Sequence, residues 1–492
     1  VRAAALLCVL LLAAPARAED ALWLGATEKL DYRRADRDGQ RDEAFRNRLE
    51  VSAQQGIFSA WVRLESLQLS DAGRYDPFGA ADGPDAGRID VTEVTRRALT
   101  LDRGSFRAVA GDFSSVFGRG LALSVFEDEE LNYDTRLEGI RGTVHHDLGT
   151  LTALAGSRRG DRFRGAFAET APLGPVRVGA DFVEAWGSAD SEILDRERHA
   201  GGLAEVTLGP AQVYGEYVLR SFPGRNGRGE RGTSGHGGFV SAVATYGSVT
   251  VSGEVRDMFR FEHPYNDPPT SLRQHTWSLL NREAGQALQD IPDDDVKGYG
   301  AEAEWAPGLF TTFLGSFGRL DADRSDDGFW ELYGEGKSTW REIVFVTAAA
   351  SESEFRFGTQ KDERISGFGE VVVQLDAVNS VSLGVEWAEA RIVDSLTQDF
   401  LRPEDFRERI FSASFGRSPW LQVTATLEDT TEDDPTEPRS RWFNALAEIA
   451  VAEGHDVQVS YGAERGGWKC TGGVCFFEPE FEGLKLKWVG RY

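Results

Sequence analysis

The sequence predicts an all-β fold: a single large antiparallel transmembrane β-barrel of about 24 strands (range about 20–26), with short periplasmic turns and long extracellular loops. Three observations predict it. Runs of about ten residues alternate between apolar and polar. Short and long links alternate along the chain, and the C-terminus coincides with an amphipathic strand that ends on an aromatic residue.

The alternation is clearest in four segments. In 249–259, Val249, Val251, Val255 and Phe259 share one face, while Thr250, Ser252, Glu254 and Arg256 share the other. In 381–388, Val381, Leu383, Val385 and Trp387 oppose Ser382, Gly384, Glu386 and Ala388. Segments 421–428 and 457–464 repeat the pattern, with Glu428 and Glu464 on their polar faces. Successive side chains of a strand point to opposite sides, so one face meets lipid and the other a lumen. A soluble sandwich also alternates, with its apolar face turned to a packed core; the links separate the two cases.

Short links fall near 54–57, 102–105, 147–150, 172–175, 208–211, 246–248, 306–308, 336–339, 377–380, 418–420 and 452–455. Between them lie long polar links at 70–90, 118–134, 188–197, 223–235, 263–296, 321–328, 393–406, 429–439 and 466–481. Outer-membrane barrels show this rhythm, with both termini on the short-turn side. The division is least defined over 327–366, where a turn is placed near "GKST" (336–339). Closure pairs every backbone N–H and C=O without helices. A mean hydropathy of −0.36 is then no obstacle, because only half the strand residues face lipid.

The first 18 residues, "VRAAALLCVLLLAAPARA", carry Arg2, an apolar run from Ala3 to Ala14 and an Ala16-Arg17-Ala18 cleavage site. They are read as a secretory signal peptide, with 19–492 as the barrel. A short membrane anchor is the weaker reading, since about 12 apolar residues cannot cross a bilayer core. The chain has a net charge of −26, and removing Arg2 and Arg17 makes it more acidic. This argues against nucleic acid or an anionic membrane surface as the main partner. Two of the three cysteines, Cys470 and Cys475, sit in "KCTGGVC". In an exported chain they read as a local disulfide; a zinc pair would need further ligands nearby. No cofactor is expected.

The C-terminal "EGLKLKWVGRY" (482–492) places Leu484, Leu486 and Trp488 toward lipid and Lys485 and Lys487 toward the lumen. Tyr492 falls at the periplasmic interface, and the strand is expected to close the sheet against the first one, near 22–30.

At this point the chain resembles bacterial outer-membrane β-barrels in general. Trp488 and Tyr492 resemble the C-terminal aromatic signal by which such barrels are recognised for insertion. Two segments, "GDFSSVFGRGLALSVFEDEELNYDTRLEGIRG" (111–142) and "HPYNDPPTSLRQHTWSLLNRE" (263–283), are similar to segments of an uncharacterised family of large outer-membrane barrels of Gram-negative bacteria. The resemblance implies fold and location, and it brings no activity and no catalytic residue.

Gly111, Gly118 and Gly120 suggest a bulge or a close backbone approach. Residues 118–134 could fold into the lumen, where Asp112 and Arg119 would set pore charge. The preferred reading is a bend followed by a solvated acidic loop with Glu127, Asp128, Glu129 and Glu130, because bulges often serve only shape. The link 263–296 is longer and more apolar than a solvated loop requires. Leu272, Trp277 and Leu280 mark it as a lumen plug or, equally, a flap on the rim. Asp290, Asp293, Asp294 and Asp295 lack calcium-loop spacing and read as a solvated charge run. No G-x-S-x-G or H-E-x-x-H appears, so no catalytic residue is nominated. Glu254, Arg256, Glu386, Glu428, Glu464, Lys485 and Lys487 complete the pore-lining candidates.

These features point to a wide, loop-gated passage for a solute or polymer. The main alternative is a structural or assembly barrel that docks partner proteins. An energy-coupled receptor would need a folded plug domain ahead of the barrel, yet alternation starts within a few residues of Ala18. An enzyme is the remaining rival. The expected partners are outer-membrane lipid, the barrel-assembly machinery and an envelope protein, with the chain itself a monomer in the outer membrane of a Gram-negative bacterium.

Overall fold

Twenty-four antiparallel strands, from Trp23–Arg37 to Phe481–Arg491, form one closed sheet in the computed structural model. It describes residues 21–37, 40–79, 87–129, 131–187, 196–221, 234–261, 265–291, 295–394, 404–432, 439–471 and 474–492. Residues 1–18, read as a signal peptide, lie outside that set. Each barrel strand pairs with the strands before and after it in the chain, and the sheet closes where Thr27–Ala35 meets Gly483–Arg491. That pairing lies further up the first strand than expected. A closed barrel must tilt and stagger its strands, so ends that are level in sequence are not level in register.

The period-two pattern explains the exterior. Val251, Val255, Leu383, Val385, Val423 and Leu427 are all exposed on the outside of the barrel. Tyr246, Trp305, Trp340 and Tyr492 are exposed near the short-turn end, where an aromatic girdle belongs. No helix among the described residues is long and apolar enough to cross a membrane; the crossing is made by strands.

One turn differs from expectation. Residues 336–339 lie inside the strand Gly328–Trp340, and the chain reverses at Arg341 and Glu342, with φ of 54° and 59°. Both adopt the left-handed conformation that hairpin turns need but that Gly or Asn usually supplies, so no turn signal marks them. The long-loop side is also uneven, with tight links such as Arg158–Asp161 and Phe357–Gln360.

Inside the barrel, burial changes with height. On the strand Asp295–Gly308, lumen-facing Glu304 is exposed, Glu302 half-buried, and Gly298 and Val296 buried. On Gly328–Trp340, Lys337 is exposed, Glu335 half-buried, and Tyr333 and Glu331 buried. The periplasmic half of the lumen is wet. In the extracellular half, an apolar cluster joins Phe117, Leu121, Leu123, Tyr265 and Leu272 to wall residues from Val109 round to Phe355. Only loops folded inside the cylinder can touch so much of its inner wall.

Candidate functional site

The filling of the lumen is built from four loop segments. The first, residues 113–137, contains two small hairpins, Ser115–Phe117 with Leu123–Val125 and Glu127–Asp128 with Tyr133–Asp134. Leu121, Ala122, Leu123 and Val125 are fully buried, and Phe117 stacks on Phe167 at 5.6 Å. Gly118 takes φ of +58° and passes so close to the wall that a Cβ would lie 2.5 Å from the Glu216 carboxylate. The same carboxylate accepts the Arg119 N–H at 2.7 Å.

This segment is not the solvated acidic loop that its composition suggests. Glu127 pairs with Arg136 at 2.8 Å and with Arg63, and Glu129 with Arg63 at 3.0 Å and with Lys29. Asp134 takes Arg96 at 2.7 Å and Arg136 at 3.0 Å. Burial alone would raise the Glu129 and Asp134 carboxyls. Lys29, Arg48 and Arg63 around Glu129, and Arg136 and Arg96 around Asp134, hold both below the ordinary carboxylate range instead. The acids meet Lys29, Arg63 and Arg96 on the inner wall and Arg136 of their own segment.

The second segment follows the strand ending at Phe259. Its Tyr265 is fully buried, meets Phe163 edge-on at 4.4 Å and donates to Asp161 at 2.6 Å. Backbone bonds tie it to the first segment: Ser124 N–H to Tyr265 O at 2.8 Å, and Asp267 N–H to Gly120 O at 3.2 Å. Ser271 then lies against Gly300 of the wall, where a Cβ would stand 2.5 Å from the Ser271 carbonyl oxygen.

Next comes the helix α1, Ser278–Asp290. It has no side-chain cap of its own; Glu386 on the wall accepts the Leu279 N–H at 2.9 Å. A wall carboxylate thus satisfies an orphan donor at the positive end of the helix. Leu279 and Leu280 pack with Tyr333, Phe368, Ala388 and Ile410. Trp277 stacks on Phe368 at 5.2 Å and donates to Tyr333 Oη at 3.0 Å. The buried His275 meets Glu331 at 2.7 Å. Arg282 reaches Glu428 at 2.8 Å, with Glu408 at 3.9 Å, while Glu283 accepts from Ser353 Oγ at 2.5 Å. Glu408 also holds Arg364, at 3.2 Å, and Arg465. Removing one partner of such a buried pair typically costs about 3–5 kcal/mol.

The remaining two segments are smaller. Ala72, Tyr75 and Phe78 pack on Leu67, Leu69 and Phe481. The hairpin Gly467–Thr471 with Val474–Glu478 lies against α1, and its backbone sets Cys470 opposite Cys475. The two cysteine side chains lie outside the described residues.

The residues singled out from sequence fall as follows. Leu272 and Leu280 are buried inside the barrel, and Trp277 is partly so. Glu386 and Glu428 contact α1. Glu464 accepts from Ser460 Oγ at 3.1 Å and pairs with Lys485. Glu254 is half-buried beside Ser271 and Arg273 in a cavity of about 320 Å³. Arg256 is buried and donates to Pro269 O at 3.4 Å. Asp112 accepts the Arg97 N–H at 2.7 Å and pairs with Arg96 at 3.1 Å, while the Arg119 guanidinium lies over Tyr214. Lys487 faces a cavity next to Asp31. Trp488 stacks on His455, and Tyr492 exchanges backbone bonds with Ala26 at 2.8 and 3.1 Å.

Asp295 accepts the Arg260 N–H and pairs with Arg324 at 3.0 Å, while Asp293 and Asp294 lie outside the described residues. Among the described residues, no group of three His, Cys, Asp or Glu is placed to hold a metal. The wall arginines Arg33, Arg46, Arg48 and Arg63 and the helix Arg282 were not foreseen. Period two marks the first four as lumen-facing, but nothing local signals their partners.

Solved structures that share this fold include the following two. The translocation pore of the P pilus usher PapC matches at 10% identity with a TM-score of 0.50, over 96% of this chain and 99% of that one. An E. coli P pilus tip assembly intermediate, PapC-PapD-PapK-PapG, matches at 11% identity and a TM-score of 0.55, over 97% of this chain and 62% of that one. This chain therefore spans less than two thirds of the second. No curated protein matches. A closed barrel of this size with an apolar outer belt belongs in the outer membrane of a Gram-negative cell. A family model covers residues 4–170 and 413–492, half of the chain, and by that match the protein belongs to a family of unknown function, DUF6029.

Proposed function

We propose that this protein is a gated passage across the outer membrane, with its own loops as the gate. One observation carries the reading: loops and α1 fill the extracellular half of the lumen, while the periplasmic half keeps polar, hydrated walls. A barrel of 24 strands encloses more than the 16–18-stranded barrels that already leave an aqueous channel. A filled lumen of that width makes sense as a closed state. Leu272, Trp277 and Leu280 act as the plug, and Glu386 and Glu428 hold it. The two similar barrels, a translocation pore and a pilus assembly intermediate, support the reading at the level of fold. A partner protein in the envelope and a polymer or solute cargo go with it, and no enzymatic step is assigned.

Two smaller roles complete the proposal. Tyr492 and Trp488 serve recognition by the barrel-assembly machinery, and Cys470 and Cys475 form a disulfide across their hairpin. Single-channel recording in planar bilayers tests the passage. The intact monomer should stay closed for most of the record, and replacing 267–290 by a short Gly-Ser turn should give large, long-lived openings. A correctly folded variant that never conducts removes the passage reading. Stoichiometric capture of a partner by that non-conducting barrel would favour docking instead.

A further inference from the structure

We propose that the lumen holds a binding site for a small polyanion, a solute with two or more phosphate or carboxylate groups. The inference rests on reading the lumen as the working surface. Between the inner wall, Glu129, Leu131 and Asn132, α1, and Gly467 and Glu478 lies a cavity of about 580 Å³, a size typical of small-molecule sites. Seven basic side chains line it against three acidic ones, in a chain whose net charge is −26.

The register sharpens this. Lys29 stands directly opposite Arg48, and Arg33 directly opposite Lys485, on three adjacent strands. Like charges directly opposite destabilise a sheet; Lys29, Arg48 and Arg33 of these pairs line the cavity, while Lys485 lies outside its lining. Part of the charge is met within the lining, Lys29 by Glu129 and Arg33 by Asp31 at 3.0 Å and Glu478 at 3.6 Å, and part from outside it. Glu65 accepts Arg46 Nε at 2.6 Å and Arg48 Nε at 3.3 Å, and Glu428 takes Arg282. That single bond through Nε is the only one Arg48 makes to a described residue, so its terminal amino groups keep their donors for the cavity. Lys487, on the third strand, makes no hydrogen bond or ion pair to a described residue. A guanidinium edge beside an ammonium suits phosphate or carboxylate oxygens. Arg48 and Lys487 stand on separate strands, and the lining carries four more basic than acidic side chains, so more than one anionic group suits the cavity.

The test is calorimetric titration of the full-length protein in detergent with inorganic tripolyphosphate, with citrate, and with neutral raffinose. Tripolyphosphate or citrate should bind saturably at low salt and weaken about tenfold in high salt, as screened charges do; the tighter of the two names the anionic group. R48Q and K487Q should each weaken binding at least about threefold, and together about tenfold, while the barrel stays heat-modifiable. Should R48Q fail to fold, K487Q decides, because Lys487 holds no partner in place among the described residues. No saturable anion binding, equal binding of raffinose, or affinity untouched by K487Q overturns the site. Binding is read without transport, so it can fail while the loop-deleted barrel conducts, and the converse is equally visible.

Discussion

On the strand Asp295–Gly308, Glu304 stands in an open lumen while Val296, eight residues further up, is fully buried under loop residues. The same contrast separates Lys337 from Glu331 on Gly328–Trp340. Wall chemistry alone does not create it, since polar residues occur at both heights. The difference comes from what the extracellular links bring inside: Phe117 and Leu123, Tyr265 and Leu272, Leu279 and Leu280. A wide barrel can thus be wet at one end and cored like a soluble protein at the other.

Deleting 267–290 should break the contrast most. It removes α1 with its apolar and ionic contacts, and the expected outcome is conversion from closed to conducting, read as stable current steps in bilayers. Arg282→Ala comes next. It leaves Glu428 and Glu408 facing each other with only Arg465 and Arg364 to balance them. A weakening of α1 docking by about 3 kcal/mol is expected from the cost of breaking buried pairs, seen as more frequent openings.

Leu280→Ala opens a void among Tyr333, Phe368 and Ile410. About 2–4 kcal/mol of docking should be lost, measured by faster hydrogen exchange over 278–290. The pH response is gentler. Burial pushes the Glu283 carboxyl up to about 7, although Arg364 lies 4.0 Å away. The docked helix therefore favours the protonated acid. Its contribution is complete below the unfolded value of 4.5 and disappears as pH rises through 7. Opening should increase between pH 5 and pH 8 in the wild type, and Glu283→Gln should flatten that rise. Lys337→Gln in the wet half is the control: stability should stay within about 0.5 kcal/mol, with only a small shift in ion preference.

The wall was legible because a strand writes its two environments into a period of two, and short turns mostly carry Gly. Where that chemistry was missing, as at Arg341-Glu342, the reading slipped into the strand before it. The filling was much less legible. Glu127 and Glu129 look solvated until Arg63 and Lys29 are brought beside them by closure. The capping partner of α1, Glu386, lies 107 residues from Leu279. Local pattern cannot encode such pairings; only the closed barrel defines them.

Thiol accessibility tests the filled-above, open-below lumen most directly. Cysteines at Glu304 and Val296, introduced singly with Cys470 and Cys475 replaced by serine, would be labelled by a small charged thiol reagent in detergent. The account predicts that E304C reacts at least about a hundredfold faster than V296C, the span expected when reaction must wait for local opening. Deleting 267–290 should narrow the difference. Equal rates at both positions in the intact barrel would contradict it.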